Sequence, residues 1–278
     1  MYNEIMKRAR DVLKGLVVVV SAVIITSLGI DATQTFEGSQ SALSILADDA
    51  LRAECPEGAV LFNEGTGGWC VDKYEASVGT GCRIQQPSSA QDTALNLIDP
   101  ECVPESVQGA LPWTHTTYHQ AVQLCGKADK ELISAELWYR ASAGTPDSTV
   151  CAVNGNSINK TGDNPGCSGV SEVYDMVGNA WEWIAATSEG GEYKGRGLPA
   201  DGYVQAADAA GIAVETGEEP NMLYGKDYFW SPVNGLNMML RGGFYGSKSD
   251  AGVFATQANM DPNFSGEAVG FRCARWLQ

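Results

Sequence analysis

Eight cysteines, at positions 55, 70, 82, 102, 125, 151, 167 and 273, all lie beyond a short apolar segment near the start of the chain, and their number is even. In an exported chain an even set implies disulfides, which restrict the fold to one whose loops can be stapled. Four pairs allow about 105 connectivities, so spacing alone leaves the pairing open. No two cysteines stand in C-x-x-C spacing, and the chain has only two histidines. The thiols therefore read as structural rather than metal-binding or reactive.

The preceding segment supports export. Lys7, Arg8, Arg10 and Lys14 form a basic leader, and residues 16–30 are apolar apart from small residues. That run is shorter than the ~20 residues a membrane-spanning helix needs. Residues 1–32 are expected to be a secretory signal cleaved after Ala32, with an uncleaved anchor as the competing reading; the anchor would be the chain's one tie to a membrane. Residues 33–54 read as a linker ending in a short amphipathic helix that carries Leu43, Ile45, Leu46, Ala50 and Leu51. The net charge of -16 repels phosphate backbones, which excludes nucleic acid and anionic membrane surfaces as natural partners.

From Cys55 onward short apolar runs are broken by Gly, Asn, Pro and Asp, the pattern of short strands and long loops. Two helices are expected. One has Thr117 as N-cap, turns Ala121, Val122, Leu124 and Cys125 inward and ends at Gly126; the other runs from Ser134 to Gly144 and buries Leu137, Trp138 and Ala141. Glu136 in the second helix's first turn suits the helix dipole. The fold class is α+β with a loop-rich surface. Residues 186–225, rich in Gly, Ala and acidic residues, read as a surface loop. His115 and His119 are four apart, but Thr117 lies between them at a helix start, so they read as exposed rather than as a zinc pair. "GTGGW" at 65–69 lacks the lysine and the helix of a phosphate loop.

The stretch "RGGFYGSKSDAGVFATQANMDPNFSGEAVGFRCAR", residues 241–275, has specified ends and a loosely specified middle. Arg241 and Arg272 can each present a planar fork to carboxylates or carbonyls and so pin the ends. Upstream, Trp181 and Trp183 alternate around Glu182, which predicts an extended segment with both indoles on one side.

Five blocks, "VDKYEAS" (71–77), "KELISAELWYRASAG" (130–144), "VYDMVGNAWEWIA" (173–185), "LRGGFYGS" (240–247) and "GFRCAR" (270–275), arrive in an order that resembles the formylglycine-generating enzyme (sulfatase-modifying factor) family. The resemblance covers residues 55–278 and implies an elaborated C-type lectin fold, loop-rich and disulfide-stapled. It also implies a disulfide between Cys125 and Cys273, with Cys55–Cys70, Cys82–Cys102 and Cys151–Cys167 following as local closures. Enzymes of that family oxidise a target cysteine with copper held by two thiolates, five residues apart, shortly after the RGG block. Here those positions are Ser247 and Gly252, neither of which supplies a thiolate. No copper is expected, and the known chemistry has no place to occur.

The family also implies calcium, held by the side chains of Asp175 and Glu182 and the carbonyls of Gly178 and Ala180. The other reading of these residues is that Asp175 caps a turn and Glu182 pairs with an arginine in the core.

The segment is similar in a second way to the variable proteins of diversity-generating retroelements, which share this fold. In them, template adenines are replaced, so that AAC codons come to encode many residues while framing codons persist. Phe244, Tyr245, Gly246, Ser247, Asp250, Phe264 and Ala268 are residue types reachable from AAC; Lys248, Gln257, Met260 and Glu267 are not. On this resemblance the ligand-binding positions are Phe244, Tyr245, Gly246, Ser247, Lys248, Asp250, Thr256, Gln257, Met260, Asp261, Phe264, Gly266, Glu267 and Ala268. Phe244, Tyr245 and Phe264 would be rigid aromatic anchors, and Gly246, Ser247, Ser249, Asp250 and Gly266 an adaptable rim. Phe254 and Phe271 are expected in the frame's core.

The expected function is non-catalytic recognition by an exported, cell-surface or extracellular protein of a protein or glycan on another cell or phage. An oxidoreductase of the formylglycine-generating type, or an offshoot of it, and a passive envelope component are the alternatives.

Overall fold

The computed structural model describes residues 55–278. The expected signal or anchor (1–32) and the linker helix (33–54) lie outside the described residues. β1 (Ala59–Glu64), β2 (Gly67–Asp72) and β3 (Ser77–Val78) come first, followed by helix α1 (Ala90–Ile98). β4 (Pro104–Glu105), α2 (Tyr118–Lys127), β5 (Glu131–Leu132) and α3 (Ala135–Ala141) follow. The remaining strands are β6 (Trp181–Glu189), β7 (Glu192–Tyr193), β8 (Arg196–Gly197), β9 (Gly202–Ala207), β10 (Ala213–Gly217), β11 (Tyr228–Trp230), β12 (Leu236–Gly242), β13 (Gly252–Met260), β14 (Val269–Phe271) and β15 (Cys273–Leu277).

The helices begin where local chemistry dictates. Thr117 accepts a hydrogen bond from the Gln120 backbone while Gln120 reaches back to the Thr117 N–H, a reciprocal cap that satisfies two otherwise orphaned donors. Ser134 caps α3 through the Leu137 N–H. Both helices differ from expectation in detail. α2 runs through Gly126 to Lys127, with Val122 facing solvent, and α3 ends at Ala141, three residues before Gly144. α1, capped by Ser89, was not expected.

Two sheets frame the domain. A four-stranded sheet has the order β1-β2-β15-β5, which ties the first described strands to the last. The larger sheet follows β10-β9-β11-β13-β12-β6-β7-β8, with β14 parallel to β6. Residues 186–225 are thus not a surface loop. They complete β6 and build β7 to β10, because their backbone groups extend the sheet from both of its edges.

On β6 the expected alternation holds. Trp181 and Trp183 join a core of Trp113, Leu124, Leu240 and Phe271, while Ile184 joins a second core containing Ile133, Leu137, Trp138 and Met239. Three buried indoles find acceptors: Trp183 donates to the Thr116 carbonyl (2.9 Å), Trp113 to Thr93 Oγ1 (3.1 Å) and Trp138 to Glu182 Oε2 (2.7 Å). The disulfides are Cys55–Cys70, Cys82–Cys102, Cys125–Cys273 and Cys151–Cys167, and no cysteine is free.

Candidate ligand-binding surface

The two arginines at the ends of the 241–275 segment are both wholly buried. Arg241 lies over the Trp138 ring at 4.5 Å and donates to the carbonyls of Ala210 (3.0 Å) and Val253 (2.6 Å). Burial pushes its guanidinium down to about 10. Arg272 forks onto both oxygens of Glu182, with its Nε 2.9 and 2.8 Å away, and donates to the carbonyls of Asp72 (3.1 Å) and Tyr174 (2.9 Å). The planar fork therefore joins β6, β2 and the 173–176 turn at one point.

Between these ends the backbone is held by other backbone. Gly242 and Gly243 take φ of 91°, a conformation that glycine adopts without steric cost, and swing the chain out of β12. The Tyr245 N–H then donates to the Asn179 carbonyl (3.0 Å), the Gly155 N–H to the Tyr245 carbonyl (2.6 Å) and the Lys248 N–H to the Val153 carbonyl (2.7 Å). None of these bonds uses a side chain of residues 244–248. Their side chains can change while the main chain stays pinned to residues 153–155 and 179.

The exposure of the expected contact positions is uneven. Lys248, Ser249, Asp261, Phe264 and Glu267 are exposed. Phe244, Gly246, Ser247, Asp250, Gln257, Met260, Gly266 and Ala268 are half-buried. Two expectations need correction. Thr256 is fully buried in the middle of β13, flanked by β11 and β12, and its hydroxyl donates to the Phe254 carbonyl, so it faces no ligand. Tyr245 is only 9% exposed: its ring packs on Phe244 and its hydroxyl donates to Glu267 Oε1 at 3.1 Å. It joins the 244–250 loop to the 261–268 loop rather than projecting from either, and burial pushes its phenol up. Phe271 lies in the core as expected, whereas Phe254 is half-buried between Tyr139 and Tyr224.

The two carboxylates of the donor set expected for calcium, which also includes the Gly178 and Ala180 carbonyls, are committed elsewhere. Both Glu182 oxygens accept from Arg272, and one also accepts from Trp138; Asp175 Oδ2 accepts from Thr161 (3.1 Å) and from the Gly162 N–H (2.6 Å). Burial pushes Asp175 up to about 6. Glu75, beside them, is held well above the usual carboxylate range by burial and then by the charges of Asp175 and Glu182. The contacts match the alternative reading, a turn held by Asp175 and a core ion pair at Glu182, and they do not fit a calcium ion. Among the described residues no cluster of three or more His, Cys, Asp or Glu suits a metal. His115 is half-buried at φ 56° just ahead of α2, and His119 is exposed in its first turn.

The position expected for a second copper thiolate holds a different surprise. A Cβ placed on Gly252 would lie 1.9 Å from Asp227 Oδ1. Asp227, which no sequence motif marks, is wholly buried, and its Oδ2 accepts the Phe254 N–H at 2.6 Å. Its carboxyl fills the space a cysteine side chain would need. Gly252→Cys is accordingly expected to destabilise the domain by about 1–3 kcal/mol through overpacking, and Ser247→Cys/Gly252→Cys together to bind no Cu(I). Thermal melts and a copper titration check this; a double variant as stable as the parent that binds copper stoichiometrically would contradict it.

Residues 168–277 match the family described as sulfatase-modifying factor enzyme 1-like domain. Among solved structures, the Major Tropism Determinant U1 variant is similar at 15% identity and TM-score 0.46 over 80% of this chain and 53% of that one. Variable protein 1 of Treponema denticola is similar at 14% identity and TM-score 0.41 over 74% and 84%, and PvdO of Pseudomonas aeruginosa at 15% and 0.39 over 75% and 80%. The chain spans about half the length of the tropism determinants it matches. No curated protein matches it.

Proposed function

We propose that this chain, which folds as a loop-rich, disulfide-stapled C-type lectin domain of the formylglycine-generating type, is an exported, non-catalytic binding protein whose 241–275 segment is a replaceable recognition surface. The observation that carries the reading is the pinning of Tyr245 and Lys248 to residues 153–155 and 179 by main-chain bonds, beside which the Phe244 N–H donates to Ser247 Oγ (2.9 Å) and Tyr245 to Glu267. The three bonds to residues 153–155 and 179 do not depend on side-chain identity, which is what a surface rewritten codon by codon requires. Four disulfides suit an oxidising compartment and hold the frame still beneath it. Serine and glycine at positions 247 and 252, with Asp227 packed over the glycine, leave the family's copper chemistry without ligands. Phe244 and Phe264 serve as the aromatic contacts, with Lys248, Ser249 and Asp250 around them. The partner is a protein or glycan on another cell or phage.

The test is the DNA beside the gene. The expected finding is a near-copy of the codons for 241–275 that differs from them where the copy has adenines, together with a reverse transcriptase gene. If there is no copy, and codons 244–268 vary no more among isolates than the rest of the gene, the chain is a passive envelope component. The match at residues 168–277 favours one second reading, an offshoot enzyme. Oxygen-dependent oxidation of a cysteine peptide by the full chain would establish that instead.

A further inference from the structure

A cavity of about 720 Å³ opens between α3 and the start of β13, within the size range of small-ligand sites. Its wall includes Tyr139 and Phe254, whose rings pack 5.6 Å apart, and Phe62. Two carboxyls, Asp147 and Asp227, face into it. Both approach one point: a Cβ on Gly225 would lie 1.9 Å from Asp147 Oδ2 and 2.8 Å from Asp227 Oδ1. Gly225 and Gly252 have no side chain where the two carboxyls lie, Asp147 Oδ2 against the first and Asp227 Oδ1 against the second. Among the described residues no N–H or hydroxyl donates to the buried Asp227 Oδ1, and the side-chain hydrogen-bond partner of Asp227 is the Asp147 carboxyl, an arrangement in which the two share one proton.

The protein's own cations do not satisfy it. Arg241 stands behind Asp227, but its Nη groups go to the Ala210 and Val253 carbonyls. Arg140, also on the wall, pairs with Glu64. Lys226 lies on the wall of a neighbouring cavity of about 540 Å³, which Asp147 and Gly225 share and which reaches Lys248 and Ser249.

We infer that this cavity is a binding site for an alkylammonium group, such as a lysine side chain of a ligand, held by Asp227 at its base and Asp147 at its more open edge, with the faces of Tyr139 and Phe254 along its stem. An ammonium brings donors to both carboxyls in place of the proton they share, and its charge is attracted to aromatic faces. A neutral group of the same shape brings neither. Burial, and then the Asp147 charge, hold the Asp227 carboxyl well above its usual range, as two facing carboxyls without a cation between them require. The site stands apart from the proposed recognition segment: its carboxyls and most of its wall lie outside residues 241–275, and it would exist whether or not that segment is diversified.

The test is an NMR titration of the full chain, following the ring signals of Tyr139 and Phe254, with Nα-acetyl-lysine methylamide and with its Nε-acetylated, uncharged counterpart. The charged probe is expected to give saturable shifts and the uncharged one to bind at least ~10-fold more weakly. Asp227→Asn and Asp147→Asn should each weaken the charged probe by at least ~10-fold. Should Asp227→Asn fold poorly, Asp147→Asn, at the more open edge, carries the test alongside an unchanged melting temperature. Equal binding of the two probes, no shift of either ring with either probe, or full affinity in Asp147→Asn would overturn the inference.

Discussion

Replacing Arg272 with methionine is expected to cost about 3–5 kcal/mol, a large share of the ~5–15 kcal/mol by which a domain is ordinarily stable. The guanidinium is wholly buried and supplies donors to both oxygens of Glu182 and to the carbonyls of Asp72 and Tyr174. Methionine fills similar volume and supplies none. Glu182 would then be a buried charge with only the Trp138 N–H beside it, in a neighbourhood that already holds Glu75 and Asp175. The penalty comes from leaving one partner uncompensated and is not the worth of the pair, so Arg272→Met with Glu182→Leu should recover part of the loss. Urea unfolding of the parent, the single variant and the double variant measures it. A single variant within 1 kcal/mol of the parent by that measure, where a buried charge should cost far more, would mean that Glu182 is relieved in some other way.

Removing the Cys125–Cys273 bridge, by alanine at both positions, has an expected effect of similar size. It closes 148 residues of sequence, against 15, 20 and 16 for the other three bridges. In the chain-entropy account a bridge closing a loop of this length restrains the unfolded chain by about 5 kcal/mol, and one closing a short loop by about 3. Cys125 lies on α2 and Cys273 opens β15, so the bond also fixes the helix layer against the four-stranded sheet. The expected result is a lower urea midpoint than for loss of any of the three local bridges, with the local losses alike. Equal midpoints for all four would show that strain or residual structure, not loop length, governs their worth.

How much of this was legible beforehand depended on the range of the interaction. Thr117 with Gln120 and Ser134 with Leu137 are contacts three residues apart, and the polar cap residue declares them. The alternation of Trp181, Glu182 and Trp183 is equally local, as is the framing of the segment by RGG and GFR. α1 leaves no such signal because the residues it buries are Thr93 and Asn96, polar side chains that make no apolar period. Residues 186–225 were misread because strands at the ends of a sheet leave one face in water, so Gly, Ala and acidic residues serve there without a strong period-two pattern. At Thr256 and Tyr245, residue type pointed to a surface, and tertiary neighbours put both inside.

The sequence by itself determined the frame: which residues cap, which cysteines are available to bridge, which arginines carry a fork and which positions lack a thiolate. Each of those depends on a residue's chemistry or on neighbours a few positions away. Only the tertiary structure decided that Asp227 lies over Gly252, that Asp147 joins it across a cavity and that Tyr245 reaches Glu267. Those contacts span 25, 80 and 22 positions. No local pattern encodes them, because they arise only when sheet register and loop closure bring distant backbone together.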